Sequence, residues 1–358
     1  MAANQSRRRL GPDQASDIDV TLLAKSRVKF QYQPLDPSVD YTRLVEFKPA
    51  EDANDAPRCK LVHVTFGERP KYEALSYIWG DETEKKNIFV DGKEFLVGQN
   101  LWDALQYLRK RVNGQRYWID AICINQADNS ERNRQLRIMP HIYRRANMVL
   151  VWLGKRKDAR FNRKLWLMDL TAEEQYFPAS ELVAHHQKRR LQDAMLLDLC
   201  SDEYWGRVWI VQEIGMAQKI QVCYDEVEEA WDAFIQRIRL RCGNITDTDG
   251  PLKLERQRQN KYDGGHTFRK LLENHQDAVC KDPRDKIYGF VGLVQDARGF
   301  PMDYEKSLFE VWKDTMLFMN KDGKLSGSDV IHLANMVKRL LGGSIVGRVD
   351  QVIQKQAT

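Results

Sequence analysis

The sequence predicts an α/β protein built on an open, mainly parallel sheet flanked by helices. Residues 117–119 form a short apolar run that ends at Asp120, and residues 148–153 form a longer run closed by Gly154. Between them, from 136 to 146, apolar residues recur at helical spacing. An uninterrupted apolar run is typical of a strand buried on both faces, and a parallel strand pair needs a crossover of about a dozen residues or more. Together these features predict a strand–helix–strand unit.

Further strands and hairpins are predicted before this unit. Alternating apolar and polar residues predict strands at 28–34, 42–48, 59–66 and 72–77, the first two as a β-hairpin or as two edge strands. Asp91-Gly92 between apolar runs predicts a tight hairpin, and Asn100 is placed to cap a helix that runs to residue 110. Because an interior proline removes a backbone hydrogen bond, Pro140 predicts a kink or a break of the crossover helix near Met139.

The patterns divide the chain into three regions. Residues 1–25 are polar and charged, which is typical of a disordered arm. Residues 26–225 form the predicted α/β domain, with a charge-rich helical insertion near 156–200. Residues 226–358 form a predicted helical C-terminal region.

Composition and charge argue against several classes of protein. The formal net charge is only +5 over 358 residues and basic residues are interleaved with acidic ones, so nothing indicates nucleic-acid binding. No apolar stretch approaches the roughly 18 residues of a membrane span, and the N-terminus lacks the apolar core of a signal peptide. The six cysteines form no CxxC pair, which favours reduced thiols and a cytoplasmic location. Walker A, GxGxxG, HExxH and GxSxG motifs are absent.

A first set of candidate site residues follows the strand at 72–77. It comprises Ser76, Tyr77, Trp79 and Asp81, with Gly80 between the last two. Tyr77 and Trp79 are suited to stack on a flat ligand, and Gly80 permits close approach of the backbone. The competing interpretation is that Trp79 anchors the loop to the core.

A second set lies in the loop after residues 117–119, at the carboxyl end of a strand, where open α/β sheets bind ligands. Asp120, Asn125 and Gln126 are suited to hydrogen-bond sugar hydroxyls. The competing interpretation is that these side chains brace the turn. Cys123 is a candidate nucleophile, but it is flanked by isoleucines, which favours a buried structural thiol.

A third set lies on a predicted helix at 207–216. Trp205, Trp209 and Glu213 are spaced four residues apart and predict one stripe, with Arg207 near the helix start and Gln212 beside the acid. A carboxylate is costly to bury in an aromatic stripe unless it is paired. Glu213 is therefore either matched by an arginine such as Arg207 or it acts on a ligand.

The three sets, in this order, resemble the HET (heterokaryon incompatibility) domain of filamentous fungi. The resemblance covers about residues 28–305 and is carried by Tyr72–Gly80, Asn100-Leu101, Ala104-Leu105, Trp118–Gln126, Asp128, Glu131, Arg132, Gln135, Met139, Ile142-Tyr143, Ala146, Val149–Gly154, Tyr204-Trp205, Arg207, Trp209, Gln212-Glu213, Asp282–Tyr288 and Asp303-Tyr304.

This resemblance implies a function in fungal self/non-self recognition, in which family members trigger cell death when unlike hyphae fuse. The HET domain is also similar to the TIR domain, a flavodoxin-like α/β fold, and some TIR domains cleave NAD at the nicotinamide–ribose bond. Their catalytic glutamate follows a tryptophan by four residues in a helix, as Glu213 follows Trp209. The resemblance thus implies a TIR/flavodoxin-like sheet with an N-terminal β-hairpin extension.

By this resemblance Glu213 is the catalytic group, and it stabilises positive charge on the ribose as the glycosidic bond breaks. The residues expected to bind the nucleotide are Tyr77, Trp79, Gly80, Asp120, Asn125, Gln126, Arg207, Trp209 and Gln212. No metal and no cofactor are expected, with NAD as the substrate, and the expected partners are further copies of the chain or other signalling proteins. The alternative is a non-catalytic TIR-like module that acts by self-assembly or by recruiting partners.

Overall fold

The computed structural model describes residues 29–48, 55–81, 83–111, 114–155, 163–166, 178–243, 246, 250–260, 267–323 and 325–342. The arm predicted at residues 1–25 lies outside the described residues, as do 156–162 and 167–177 of the predicted insertion. The strands are β1 (Tyr41–Phe47), β2 (Arg58–Thr65), β3 (Glu73–Tyr77), β4 (Lys85–Val90), β5 (Lys93–Gly98), β6 (Arg116–Trp118), β7 (Met148–Trp152), β8 (Ile220–Tyr224) and β9 (Val227–Ala230).

Helices cover the sheet and extend to the end of the described chain. They are α1 (Gln99–Leu108), α2 (Asp120–Cys123), α3 (Asn129–Arg145), α4 (Arg163–Trp166), α5 (Ala179–Cys200), α6 (Val208–Met216), α7 (Trp231–Arg241), α8 (Gly250–Gln259), α9 (Phe268–Asn274), α10 (Asp285–Val291), α11 (Leu308–Met319) and α12 (Gly327–Leu341). The protein is therefore α/β, with a largely helical C-terminal part, as the sequence predicted.

The sheet is mixed, and the prediction of a mainly parallel sheet needs correction. Its strand order is β5-β4-β2-β1-β6-β3-β7-β8-β9. The central strands β6, β3, β7 and β8 are parallel to one another, and a short parallel pairing joins β2 to β4. Antiparallel pairs join β1 to β2 and β6, β4 to β5, and β8 to β9. Short turns such as Asp91-Gly92 cause this, because they are too short for the crossover that a parallel pair requires.

The predicted strand–helix–strand unit is present, but its two strands are not neighbours. β6 and β7 both pair with β3, which lies between them. α3 therefore crosses over one intervening strand. In chain order, the four parallel strands lie across the sheet as second, first, third and fourth. The order along the chain reverses at β3, and such a switch point is where open α/β sheets bind ligands.

The N-terminal hairpin also differs from the prediction. β1 pairs with β2 and not with residues 28–34, where the described residues make only an isolated bridge from Lys29 to Glu94. Nor is β1 an edge strand, since β6 pairs with its other side. Thr42 and Arg43 on β1 are consequently buried.

Two predictions about helices need correction. α3 runs without the predicted break from Asn129 to Arg145, with Pro140 inside it. Pro140 is buried at the contact with Gly292, so packing offsets the lost backbone hydrogen bond. Asn100 does not cap α1, whose N-cap is Gly98.

Helix α6 lies at the centre of the packing. Its residues are buried except for the partly exposed Trp209, and it contacts α3, α8 and α10. Val208 packs against Gly289 of α10, and the backbone of the same residue donates to the carbonyl of Val279. The helix that carries Glu213 is therefore enclosed by the sheet and by the C-terminal helices.

Candidate functional site

The three predicted sets of residues meet at the carboxyl ends of β3 and β6. Trp79, just after β3, donates its indole N–H to Asp120 Oδ2 at 2.9 Å. Arg207, the residue before α6, donates from its guanidinium to the carbonyl of Tyr77. The loop after β3, the start of α2 and the start of α6 are thus directly linked at the switch point of the sheet.

Asp120 is supported by several donors. Besides the Trp79 indole, the backbone N–H of Ala121 donates to Oδ1 at 2.7 Å. The Tyr77 hydroxyl is a third hydrogen-bonding neighbour, and this side chain is buried. Burial raises the pKa of Asp120, while Arg207 and the donors oppose that shift. Asp120 therefore lies where a carboxylate is hydrogen-bonded and still partly exposed.

Glu213 lies deeper, against β3. Its side chain is only 4% exposed, and Oε2 has no hydrogen-bond partner among the described residues. Burial raises the pKa of Glu213 to about 7, whereas Arg207 and hydrogen bonds from Ser76 and Tyr143 oppose the shift. Asp120 acts in the same direction as burial because it carries a like charge. A buried acid with such a pKa is typical of functional sites.

Hydroxyl groups surround the Glu213 carboxyl. Ser76 Oγ and the Tyr204 hydroxyl are 2.5 Å apart, and both residues are buried. The Tyr143 hydroxyl donates to the carbonyl of Leu75 at 3.1 Å. Tyr143 and Tyr204 carry the family resemblance, but no sequence pattern places them at this acid, because they come from α3 and from a 3₁₀ helix more than 60 residues apart.

Asn125 and Gln126 brace their own loop in this structure. Asn125 Oδ1 accepts from the N–H of Ala127 at 3.2 Å, and Gln126 Nε2 donates to the backbone carbonyl of Asp120 at 3.1 Å. These contacts agree with the interpretation that both side chains brace the turn. Both side chains are also partly exposed to solvent.

Gly80 lies at the exposed rim with a φ of +69°, a conformation that glycine adopts without strain. Asn100 holds this rim to β7. Its Nδ2 donates to the carbonyl of Ile78 at 2.7 Å, and its Oδ1 accepts from the Trp152 indole at 3.0 Å. Gly154, with a φ of +82°, packs against the same Asn100 oxygen.

Trp209 and Gln212 face α10. Trp209 is hydrogen-bonded to Asp285, whose pKa burial raises to about 6 against the effect of Tyr304 and Trp209. Gln212 Oε1 lies against Gly292, and its Nε2 has no partner among the described residues.

The predicted aromatic stripe is not formed by one helix. Trp205 belongs to a 3₁₀ helix that precedes α6. Its indole donates to the carbonyl of Leu199 at 2.7 Å, and its ring stacks on Phe234. The helical spacing was misleading here because the backbone changes from 3₁₀ to extended at Arg207 before α6 starts.

A cleft of about 290 Å³ opens on the other side of Arg207. Its lining includes Asp202, Arg207, Val211 and Lys253. Arg207 therefore contributes both to this cleft and to the electrostatic environment of the two acids.

Cys123 is a buried structural thiol in this fold. It is fully enclosed, and its sulfur accepts from the N–H of Ile119 at 3.3 Å. Burial raises the pKa of Cys123 to about 12, so a thiolate is disfavoured. The described residues hold no cluster of three or more His, Cys, Asp or Glu side chains placed to bind a metal ion.

Arg43 supports the Asp120 loop, a role that no sequence pattern indicated. This β1 residue forms an ion pair with Glu131 at 2.6 Å and donates to the carbonyl of Cys123 at 2.9 Å. Glu131 Oε1 also accepts from the N–H of Asn125 at 2.7 Å. Alternation along β1 predicts a charged residue at position 43, but not its burial.

Searches for relatives agree with the family resemblance. Residues 72–213 match the family model described as "Heterokaryon incompatibility protein (HET)". A curated relative in Neurospora crassa, "Heterokaryon incompatibility protein 6, OR allele", is 38% identical over 151 residues. The match covers 38% of this chain and 22% of the relative, so the chain spans about a fifth of that protein. No solved structure matches the chain. Within the described residues, no helix is long and apolar enough to cross a membrane. Residues 72–213 of this chain are thus similar in sequence to the heterokaryon incompatibility (HET) family.

Proposed function

We propose that the protein acts in fungal self/non-self recognition and triggers cell death by hydrolysing a glycosidic bond of NAD or another nucleotide. The recognition function is supported by the family match over residues 72–213 and by the name of the Neurospora relative. The proposed location is the cytoplasm, where NAD and nucleotides are available as substrates.

The fold supports a TIR-like activity. Across the four parallel strands the order second, first, third, fourth is the order at the start of the flavodoxin-like arrangement. Asp120 follows the second of these strands and Trp79 the first, so both lie at the switch point. A nucleotide bound there would lie across Trp79 and Gly80, with its ribose toward the acids and the buried Tyr77 supporting Asp120 beneath it.

The observation that carries the proposal is that Asp120 and the buried Glu213 both lie near enough to Arg207 for its charge to lower their pKa values. Enzymes that hydrolyse glycosidic bonds usually use two carboxyl groups in different environments. Gln126 and Asn125 line the rim beside Asp120 and would contact the sugar hydroxyls. Trp209 and Gln212 hold α6 against α10, and this contact would set the position of Glu213 in the site.

Entry of a substrate requires Arg207 to move. Its guanidinium joins α6 to the carbonyl of Tyr77, beside the 290 Å³ cleft. We propose that displacement of this side chain would connect the cleft, which Val211 of α6 also lines, to Glu213. Self-assembly of several copies is the proposed trigger for that displacement.

The test is to incubate the assembled full-length protein with NAD and to measure free nicotinamide. We expect Glu213→Ala to lower the rate by about 10²–10³, the usual effect of removing one charge-stabilising group. Toxicity on expression in a fungal host should fall in parallel. Unchanged NAD consumption by a folded Glu213→Ala protein would refute the assignment of Glu213.

The second candidate function is a non-catalytic interaction module that acts by self-assembly. The 4% exposure of Glu213 favours it, because an enclosed acid without an opening cannot reach a substrate. In that case the fungal host would die on expression of wild type and of Glu213→Gln alike, while nucleotide levels stayed constant.

A further inference from the structure

The two acids at the site receive different kinds of hydrogen bond. Both oxygens of Asp120 accept from N–H groups, Oδ2 from the Trp79 indole at 2.9 Å and Oδ1 from Ala121 at 2.7 Å. Asp120 also has the Tyr77 hydroxyl as a neighbour, whereas Glu213 faces the hydroxyls of Ser76 and Tyr143 without an N–H donor. Donation from N–H groups stabilises the charged form of a carboxyl group. The donors therefore favour negative charge on Asp120.

Most hydroxyl protons near Glu213 already have other acceptors. Tyr143 donates to the carbonyl of Leu75, and one of the Ser76 and Tyr204 hydroxyls donates to the other at 2.5 Å, which leaves a single proton of that pair for Glu213. A carboxylate at this place would have few donors, and Oε2 has no partner in the part of the chain described. A protonated carboxyl can itself donate to a hydroxyl oxygen, so the protonated form fits the surroundings better.

The charged and titratable groups around Glu213 do not reverse this preference. Arg207 favours the carboxylate, but its guanidinium donates to the carbonyl of Tyr77, and Asp120 opposes a second negative charge. Tyr77, Tyr143 and Tyr204 are buried phenols whose pKa values burial raises well above 10, so all three are neutral. An unpaired carboxylate in such a place is expensive, and the group keeps its proton instead.

We propose that Glu213 is protonated and Asp120 is ionised at neutral pH, and that this pair hydrolyses nucleotides whose base leaves as an anion, purine nucleotides among them, by giving the Glu213 proton to the departing base. The inference rests on the proposed glycosidic-bond hydrolysis and specifies its substrate class. Purine leaves a ribose as a poor, anionic leaving group unless it is protonated, so the reaction requires a general acid. Nicotinamide leaves NAD already neutral and needs no proton.

The step balances as follows. The oxygen of a water molecule forms a bond to C1′ of the ribose while the bond from C1′ to N9 of the purine breaks. The electron pair of that bond goes to the base, which takes the proton of Glu213. Asp120 takes the proton released by the water. A proton returning from Asp120 to Glu213 then restores the resting state, and no oxidant, reductant or metal is consumed.

The first test compares adenosine monophosphate and NAD as substrates of the assembled full-length protein, with adenine and nicotinamide measured by chromatography. We expect adenine release, reduced about 10²–10⁴-fold in Glu213→Gln, because the amide cannot supply the proton. The control is Glu255→Gln. Glu255 is also buried, but it accepts from the Trp231 indole at 2.6 Å and lies outside the site.

The outcomes separate this inference from the proposed function. Nicotinamide release without adenine release overturns the inference and leaves the proposed function standing. Adenine release that survives Glu213→Gln overturns the role of Glu213 as the acid. Release of neither product removes the proposed hydrolysis and with it the substrate class.

The protonation state is tested without any activity. Infrared difference spectra of wild type minus Glu213→Gln at pH 6 should contain the carbonyl band of a protonated carboxyl group, and this band should disappear as the pH rises above 7. Absence of the band at pH 6 overturns the assignment of the proton to Glu213, whatever the activity shows. Wild type minus Glu255→Gln serves as the matched control.

Discussion

Arg43 and Glu131 form a bidentate ion pair that is closed off from solvent. Arg43 Nη1 lies 2.6 Å from Glu131 Oε1 and Nη2 lies 2.9 Å from Oε2, with side-chain exposures of 1% and 2%. Arg43 precedes the family match at residues 72–213, whereas Glu131 lies within it. The pair fixes the loop that carries Asp120, so a strand outside the matched segment determines the geometry of one acid.

Loss of the arginine should therefore be costly. In Arg43→Met the Glu131 carboxylate stays buried without its cation, and removal of one partner of such a pair costs about 3–5 kcal/mol in the free energy of unfolding. Denaturant unfolding measures this. Arg116→Met is the control, because Arg116 pairs with Glu46 while 39% exposed and should cost under about 1 kcal/mol. Equal losses in the two variants would contradict the importance of burial.

Glu213→Gln should change how stability depends on pH. The folded-state pKa is raised from 4.5 to about 7 by burial, so the folded protein binds a proton that the unfolded chain has released. The wild-type free energy of unfolding therefore falls as the pH rises from 4.5 to 7, and this contribution is constant above 7. Because the glutamine variant lacks this loss, its free energy of unfolding relative to wild type should rise by up to about 3 kcal/mol between pH 4.5 and 7, at about 1.4 kcal/mol per pKa unit.

The measurement is denaturant unfolding of both proteins at several pH values. Other acids such as Asp285 titrate equally in both, so the difference isolates Glu213. A difference between wild type and Glu213→Gln that stays flat from pH 4.5 to 8 would mean that Glu213 has an ordinary pKa.

Gly292→Ala should loosen the contact between α10, α3 and α6. An added Cβ would lie 2.0 Å from Pro140 Cγ and 2.9 Å from Gln212 Oε1, so neighbouring atoms must move. Overpacking of this kind typically costs about 1–3 kcal/mol. Gly327→Ala is the control, since its Cβ would meet nothing within 4 Å and its φ is not positive. Thermal unfolding should show a lower Tm only for Gly292→Ala.

The cysteines should differ in reactivity toward an alkylating reagent. Cys280 is partly exposed, whereas Cys59, Cys123, Cys200, Cys223 and Cys242 are buried. Burial raises the pKa of Cys280 to about 11 and that of Cys123 to about 12, so both react slowly and Cys280 reacts first. Mass spectrometry of the native protein reads out the order. Modification of Cys123 before Cys280 would contradict its assignment as a buried structural thiol and would support a nucleophilic function.

Local patterns were reliable where the structure is local. The Asp91-Gly92 hairpin was predicted correctly because both residues take positive φ in a two-residue turn. Helix α11 likewise starts at a local signal, because Ser307 and Glu310 form a capping box. Such signals lie within a few residues of the element that they specify.

Pairing across the sheet could not be predicted. No local sequence signal specifies that β1 pairs with both β2 and β6. The alternation of apolar and polar residues in β1 is equally compatible with an edge strand. The side chain of Asn100 looked like a cap, yet it joins the ends of β3 and β7. The candidate site shows the same limit: Trp79, Asp120 and Arg207 were recognised singly, while their contacts and the hydroxyls around Glu213 depend on three distant segments.

The place of β3 between β6 and β7 has a consequence for synthesis on the ribosome. Glu73 pairs with Tyr117 on one side and with Met148 on the other. The apolar strand β3 therefore emerges before both of its partners. Its backbone forms hydrogen bonds on both edges only after β6 and β7 have been synthesised. Unpaired strand edges of nascent chains are prone to aggregate. Translation slowed between codons 77 and 148 would prolong that exposure, and chaperone occupancy of the growing polypeptide should peak in this interval.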